Sequence, residues 1–431
     1  MNRNFKLFAI AFTAGMLASG TSCQSMLDLE PHSAVSPGSV NSKDIEALRA
    51  GMYSKVQELP QRESYIMFDL FGGNLTTKSS VNSLDLINSL SSALNSVVEA
   101  QWQGYYQALM QVNNVYTIAQ SLPAGSQRDL VMGECHYFRA YLHLCLVTRF
   151  GDVPLMRENT DALVSRTPAA EVWEFIDEEL RLAVGNLGTP SAGYYYLSAD
   201  AAKALKARVA LYRGHKTEAC ELAESLIADA RYDLDDFDKI FRAKSNKELI
   251  FAFSCLTEDG SSIKISNQFY SYNHPNKGSY NYRPAGDVMT MYADNDLRKE
   301  VSITTLDNLN FVNKYPSGQT GSDPVVISRL AEMYLISAEA QGLNGGLDRL
   351  NELREKRGLD RVSPGNEADF LDAVLQERRL EFLAEGFRWY DLVRTGKATQ
   401  TLGTKDYQCL MPLPSRELLY NPNLKPNNPG Y

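Results

Sequence analysis

Apolar residues recur at helical spacing along most of the chain and lose that period in two long stretches. Ile45, Leu48, Met52 and Val56 predict a helix from Asp44 to Glu58. Trp102, Tyr105, Tyr106, Leu109, Val112, Val115 and Tyr116 mark one face of a second, over about 99–122, which Pro123 and Gly125 stop. A third runs from Gln127 to about Phe150, ahead of Gly151 and Pro154, and a fourth spans Glu171 to Leu187 after a Thr167-Pro168 start signal. Residues 60–98 and 232–325 keep no period and are rich in Ser, Asn and Gly. The second stretch holds one strand-like run, Leu249-Ile250-Phe251-Ala252-Phe253.

Small residues occupy the helical positions further on. Ala201, Ala202, Ala204 and Ala207 precede a turn at Gly214, and Ala219, Ala223 and Leu226 follow it. The plan returns over 329–358, where Ala331, Leu335 and Ala338 precede a Gly345-Gly346 turn and then Leu347, Leu350 and Leu353. Side chains this small let paired helices approach closely and stack on the next pair, which is the tetratricopeptide pattern. The prediction is an all-α fold of tetratricopeptide-type repeats, roughly 99–230 and 325–395, broken by irregular inserts at roughly 60–98 and 232–325. Loops of that length in a compact domain usually carry function.

Composition narrows the function. A net charge of −9 over 431 residues offers no basic face for nucleic acid. Five histidines and no HExxH, CxxC or Cys/His cluster argue against zinc, and no phosphate- or dinucleotide-binding glycine motif or GxSxG is present, so no cofactor is expected. His136 and His143 share a helix face and read as satisfied core residues. The cysteines Cys135, Cys145, Cys220, Cys255 and Cys409 show no disulfide framework and read as small buried thiols.

The C-terminal stretch is dense in charge. Glu377, Glu381 and Glu385 recur every four residues beside Arg378 and Arg379, which predicts a buried ion-pair network bracing the fold. After Gly386 come Arg388, Trp389 and Asp391, an arginine able to pair with the carboxylate and stack on the indole. A tail rich in Pro and Asn, ending Asn428-Pro429-Gly430-Tyr431, must lie extended against the rest.

This order of residues resembles the SusD/RagB family of surface nutrient-binding lipoproteins of Bacteroidetes. Further stretches carry the likeness: Gly133-Glu134 with Phe138-Arg139-Ala140-Tyr141 and Phe150-Gly151-Asp152-Val153-Pro154, Arg329-Leu330-Ala331-Glu332, and Leu350 to Leu359. The resemblance implies a single SusD-like domain over 44–431, a binding role with no catalysis, and a partner, a SusC-like TonB-dependent outer-membrane transporter, to which captured oligosaccharide is delivered. It also implies a lipid anchor. Residues 1–22 have the basic start and short apolar core of a signal peptide, Cys23 follows small residues as a lipidation site, and 23–43 reads as a flexible leader.

In such proteins the ligand meets the inserts. Tyrosines among Asn and Arg suit a sugar, because the ring stacks on C–H faces while amides and guanidinium bond hydroxyls. The candidates are Tyr65, Asp69 and Asn74 in the first insert and Tyr270, Tyr272, Tyr280, Tyr282 and Arg283 in the second. Tyr194-Tyr195-Tyr196 is another aromatic cluster, able to touch ligand or to pack between helices. A peptide or other nutrient as cargo, and a protein-binding scaffold, remain open alternatives. A glycosidase would need two carboxylates about 5 to 10 Å apart in a cleft. Asp69, Asp287, Asp294 and Asp296 lie near the inserts with no sign of pairing.

Overall fold

The computed structural model describes residues 42–77, 84–89, 92–190, 193–242, 245–255 and 263–431. Cys23, the signal segment and nearly all of the leader lie outside the described residues. The chain divides into two units, Met1–Ile45 and Glu46–Tyr431, and the second holds the repeats together with both inserts.

The helices are α1 (Ile45–Glu58), α2 (Glu63–Phe71), α3 (Ser96–Gln120), α4 (Ser126–Phe150), α5 (Ala169–Asn186), α6 (Ala199–Tyr212), α7 (Lys216–Ile227), α8 (Leu330–Lys356), α9 (Glu367–Glu381) and α10 (Arg388–Arg394), with shorter turns between. From α3 onward each long helix packs on the next, and α7 skips the large insert to pack on α8, which packs on α9. That stacking is the repeat architecture expected from the alanine pattern. Ala201, Ala202, Ala204 and Ala207 are fully buried in α6. A Cβ at Gly133 would sit 2.7 Å from the Leu187 side chain, so glycine is what lets α4 meet the end of α5.

Local chemistry sets the helix ends. Asn95 Oδ1 accepts from the Val97 and Val98 amides at the start of α3, and Ser198 Oγ accepts from Ala201 at the start of α6. Gly151 ends α4 at φ 72°, where an L side chain is strained. In α8 the break expected at Gly345-Gly346 falls instead at Gly342, whose φ is 70°. Gly346 is needed for another reason: its Cβ would lie 2.0 Å from the Ala338 carbonyl oxygen.

Strands are few. Among the described residues they form three antiparallel two-stranded ribbons: β1 (Leu75–Thr77) with β3 (Tyr282–Pro284), β2 (Leu249–Phe253) with β6 (Val325–Arg329), and β4 (Ile303–Leu306) with β5 (Leu309–Val312). The β2–β6 pair is wholly buried and closes the large insert back onto the repeats.

Residues 63–71, expected to be irregular, are instead helix α2, buried from Ser64 to Phe71. Apolar residues all round such a helix leave no polar face, hence no period to detect.

At the join of insert and repeats lies the ion-pair network. Glu381 receives Arg298 at 2.8 Å, Arg329 at 2.5 Å and Arg357 at 2.9 Å. Glu248 receives Arg329 at 2.9 Å and Arg357 at 2.8 Å. Glu385 receives Lys314 and Arg329 at 2.8 and 2.9 Å, and Glu377 receives Arg298 and Arg354, both at 2.7 Å. Asp296 completes it on Arg298. The cations Arg298, Lys314, Arg329, Arg354 and Arg357 thus face the carboxylates Glu248, Asp296, Glu377, Glu381 and Glu385, and the charges balance. Asp391 pairs with Arg378 at 2.7 Å and Arg394 at 2.8 Å, whereas the neighbouring Arg388 expected to hold it does not.

The tail latches the other end. The Asn428 side-chain amide donates to the Phe150 and Met411 carbonyls at 2.9 and 2.7 Å. The Met411 amide donates to Arg149 O at 2.7 Å.

Candidate functional site

The second insert is organised by its own aromatic core. Tyr270, Tyr280 and Phe311 cluster, with ring centroids of 6.0 Å for Tyr270–Phe311 and 5.1 Å for Tyr280–Phe311. The His274 ring lies 4.5 Å from Tyr270 and 4.8 Å from Phe311. Each buried hydroxyl is satisfied: Tyr270 donates to Asn313 Oδ1 and Tyr280 to the Asn310 carbonyl, both at 2.9 Å. Burial pushes the Tyr270 phenol up to about 12. Burial also raises Tyr280, opposed by the adjacent Arg283 guanidinium.

From this base two of the expected residues reach solvent. Tyr272 is 79% exposed at the tip of the turn carrying His274. Arg283 is exposed at the middle of β3, opposite Thr76 of β1. The same ribbon meets α9, where Arg379 donates to Asn74 Oδ1 at 2.8 Å and to Asp287 Oδ2 at 2.6 Å. The β1–β3 ribbon therefore presents a guanidinium and, just beyond β3, an exposed carboxylate to a hydroxyl-rich ligand.

The other expected residues face inward, and the first-insert set must be corrected. Asp69 is fully buried and accepts from Asn74 Nδ2 and from the Ala384 and Gly386 amides at 2.8, 3.0 and 2.7 Å. Burial, the dominant effect, pushes its carboxyl up to about 6 against those donors. Asn74 is 1% exposed with its amide committed to Asp69. Tyr65 donates to the Gln57 carbonyl and lines an internal cavity of about 90 Å³, below the size of a small-ligand site. In the second insert Tyr270, Tyr280 and Tyr282 are also buried, Tyr282 donating to Glu63 Oε1 at 3.3 Å. These side chains build the platform rather than its surface.

The carboxylates weighed for catalysis are each engaged elsewhere: Asp287 with Arg379, Asp294 with Lys299, Asp296 with Arg298. His136 bonds Glu179 at 2.8 Å. His143 donates from Nδ1 to the Arg139 carbonyl and accepts the Met156 amide at Nε2, and burial lowers it to about 4, so it stays neutral. Among the described residues no group of His, Cys, Asp and Glu could hold a metal, and no helix is long and apolar enough to cross a membrane.

Sequence reasoning missed Asp287 and Arg379 as partners, since they lie 92 positions apart. It also missed Arg49 and Tyr53, whose i,i+4 spacing on α1 was the one local signal that they share a face.

Comparison with known proteins agrees with this architecture. The profile of the SusD family matches residues 305–409, and a second profile, described as SusD-like and starch-binding associating with outer membrane, matches 25–211. A SusD-like protein of Formosa agariphila is 26% identical, covering 98% of each chain. The structure of a SusD superfamily protein of Bacteroides vulgatus superposes with a TM-score of 0.80 at 20% identity, covering 90% of this chain and 99% of that one. Surface glycan-binding protein A of Bacteroides thetaiotaomicron, in complex with laminarihexaose, gives 0.78 at 18% identity over 90% of this chain and all of its own. The protein has the mostly helical, repeat-built architecture of an outer-membrane-associated binding protein. It belongs to the SusD/RagB family.

Proposed function

We propose that the protein captures oligosaccharides at the cell surface of a Bacteroidetes outer membrane and passes them to a SusC-like TonB-dependent transporter. It is held there by lipid on Cys23 and performs no covalent chemistry. One observation carries the reading: an almost wholly exposed Tyr272 lies two residues from Tyr270 of a satisfied aromatic core, and exposed Arg283 lies near Tyr280 of the same core. A ring held out to solvent can stack on a sugar face, and a guanidinium on the same insert bonds its hydroxyls. The engagement of Asp287, Asp294 and Asp296 in ion pairs supports binding over hydrolysis. The shared fold with a surface glycan-binding protein in complex with laminarihexaose supports a glycan over other cargo.

Tyr272 and Arg283 are the proposed contacts, with Asp287 at the edge, while Tyr65, Asp69, Asn74, Tyr270, Tyr280 and Tyr282 hold the frame. Calorimetric titration of residues 24–431 against laminarin, starch and other neutral polysaccharides, with peptide digests alongside, tests this. The expected result is saturable binding of one glycan class, weakened about tenfold by Tyr272→Ala through the lost stacking. Heat with peptides alone would replace the cargo.

A further inference from the structure

A second cavity, of about 510 Å³, opens between α1 and the loop before α6, and none of the residues proposed above lines it. Its volume falls among small-ligand sites, which span about 300–1,000 Å³. Its walls are aromatic: Tyr53, Tyr195, Tyr196 and Phe253. Tyr53 meets Tyr196 edge-on with centroids 5.8 Å apart, and the Arg49 guanidinium lies 5.3 Å from the Tyr196 centroid. Even so, Tyr196 remains 47% exposed.

The wall behind these rings is fixed by a buried acid. Glu134 of α4 accepts Arg49 Nε and Nη2 at 2.6 and 2.7 Å and the Tyr53 hydroxyl at 2.6 Å. The Tyr53 oxygen in turn accepts the Leu197 amide at 3.0 Å. One carboxylate therefore ties α1, α4 and the loop before α6 into a single wall.

Charge selects the ligand. Among the described residues that line it, the site holds one cation, Arg49, already met by Glu134 and with Glu46 at 3.4 Å from its outer Nη1. No positive charge is left over for an anionic group. The cavity presents a ring face, the Arg49 guanidinium edge and the exposed Glu46 carboxylate, which also accepts from Gln127 Nε2 at 3.1 Å, with Ser54, Gln57 and Ser254 as further polar lining; a donor and an acceptor stand side by side as vicinal hydroxyls require.

We propose that this cavity is a second glycan site, taking one or two neutral hexopyranose units. Tyr196 stacks on a sugar face, and Arg49 Nη1 and Glu46 bond its hydroxyls. The proposal rests on the reading of the protein as a glycan binder. Its consequence is avidity: a polysaccharide long enough to reach both sites binds more tightly than either alone, whereas a short oligosaccharide gains nothing.

The test uses the soluble chain from Gln24, with laminarin and starch as long probes, laminarihexaose and maltohexaose as short ones, and alginate as an acidic control. Variants are Tyr196→Ala, Tyr196→Phe, the pair Tyr272→Ala/Arg283→Ala, and all three alanine changes together. Tyr196→Ala is expected to weaken the long neutral probe at least about tenfold. Tyr196→Phe, which keeps the ring, should bind like wild type, and the pair variant should retain binding of the short probe that only the triple variant abolishes. Unchanged melting of Tyr196→Ala separates lost contact from lost fold. If Tyr196→Ala binds like wild type and the pair variant binds nothing, the second site is overturned while the capture reading stands. Wild-type silence on every glycan removes both, and binding of alginate alone overturns the neutral ligand.

Discussion

Replacing Glu381 by Gln removes one charge and almost no volume from the balanced network. Glu381 is fully buried and receives three guanidiniums, so nothing from solvent can take its place. The variant leaves the buried cations Arg298, Arg329 and Arg357 with one carboxylate fewer between them. Breaking a buried pair in this way costs about 3–5 kcal/mol, which is large against a total stability of about 5–15 kcal/mol. At about 2–4 °C per kcal/mol for domains of 150–250 residues, and less in a longer chain, melting should fall on the order of 5–10 °C at pH 7. The effect also carries a pH signature. Burial pushes the Glu381 carboxyl up, but Arg357, Arg329 and Arg298 outweigh it and hold the group well below the ordinary value of 4.5. A depressed folded value means the stabilisation is complete above the unfolded value and is lost as pH falls through the folded one. The gap between wild type and variant should therefore be constant near neutrality and close in acid. Calorimetric melts of both proteins from neutral to acid pH measure it. Equal melting temperatures at pH 7, or a gap that widens on acidification, would refute the reasoning.

Two further tests address the frame. Asp69, pushed by burial to about 6 from 3.8, binds its proton more tightly folded than unfolded, so it costs stability as pH rises between those values and the whole cost is present above them. Wild type should lose stability over that window by a component absent from Asp69→Asn, read as the difference between their melting curves against pH. Gly104→Ala would place a Cβ 2.1 Å from the Leu59 carbonyl oxygen and should destabilise by about 1–3 kcal/mol. Gly185→Ala, with nothing within 4 Å in a helix, should instead stabilise by about 0.5–1 kcal/mol; chemical denaturation of both separates crowding from helix propensity.

Long helices such as α3 were legible because they keep one wet face. The apolar stripe of Trp102, Tyr105, Leu109 and Val112 is buried as expected, with Asn95 capping its helix. The network was legible in part: the four-residue spacing of Glu377, Glu381 and Glu385 stands in the sequence, although Glu385 falls past the end of α9, and their cationic partners come from 298 to 357 and leave no local trace. The candidate residues divided for the same reason. Asp69 looks like a loop acid because its amide donors at Ala384 and Gly386 lie 315 and 317 positions away. Tyr280 and Tyr282 stand two apart, as an exposed strand face would, but the three-residue β3 puts Tyr282 inside and Arg283 out. Composition marks a stretch as rich in tyrosine and cannot say which rings are walls and which are floor.

The hydrogen bonds from the Gly386 amide to Asp69 and from Asn428 to Phe150 close loops of 317 and 278 positions. A nascent chain that has not yet been made as far as Gly386 cannot satisfy the Asp69 carboxylate, and α2 then has no seat. Contacts of such sequence separation are slow to form, because the loop entropy must be spent before any of them rewards it. Synthesis from one end therefore yields the stacked helices α3 to α7 before the contacts that seat α2 can form. The late closure keeps the chain pliable while it is still emerging, the state in which a polypeptide can be threaded through a membrane pore.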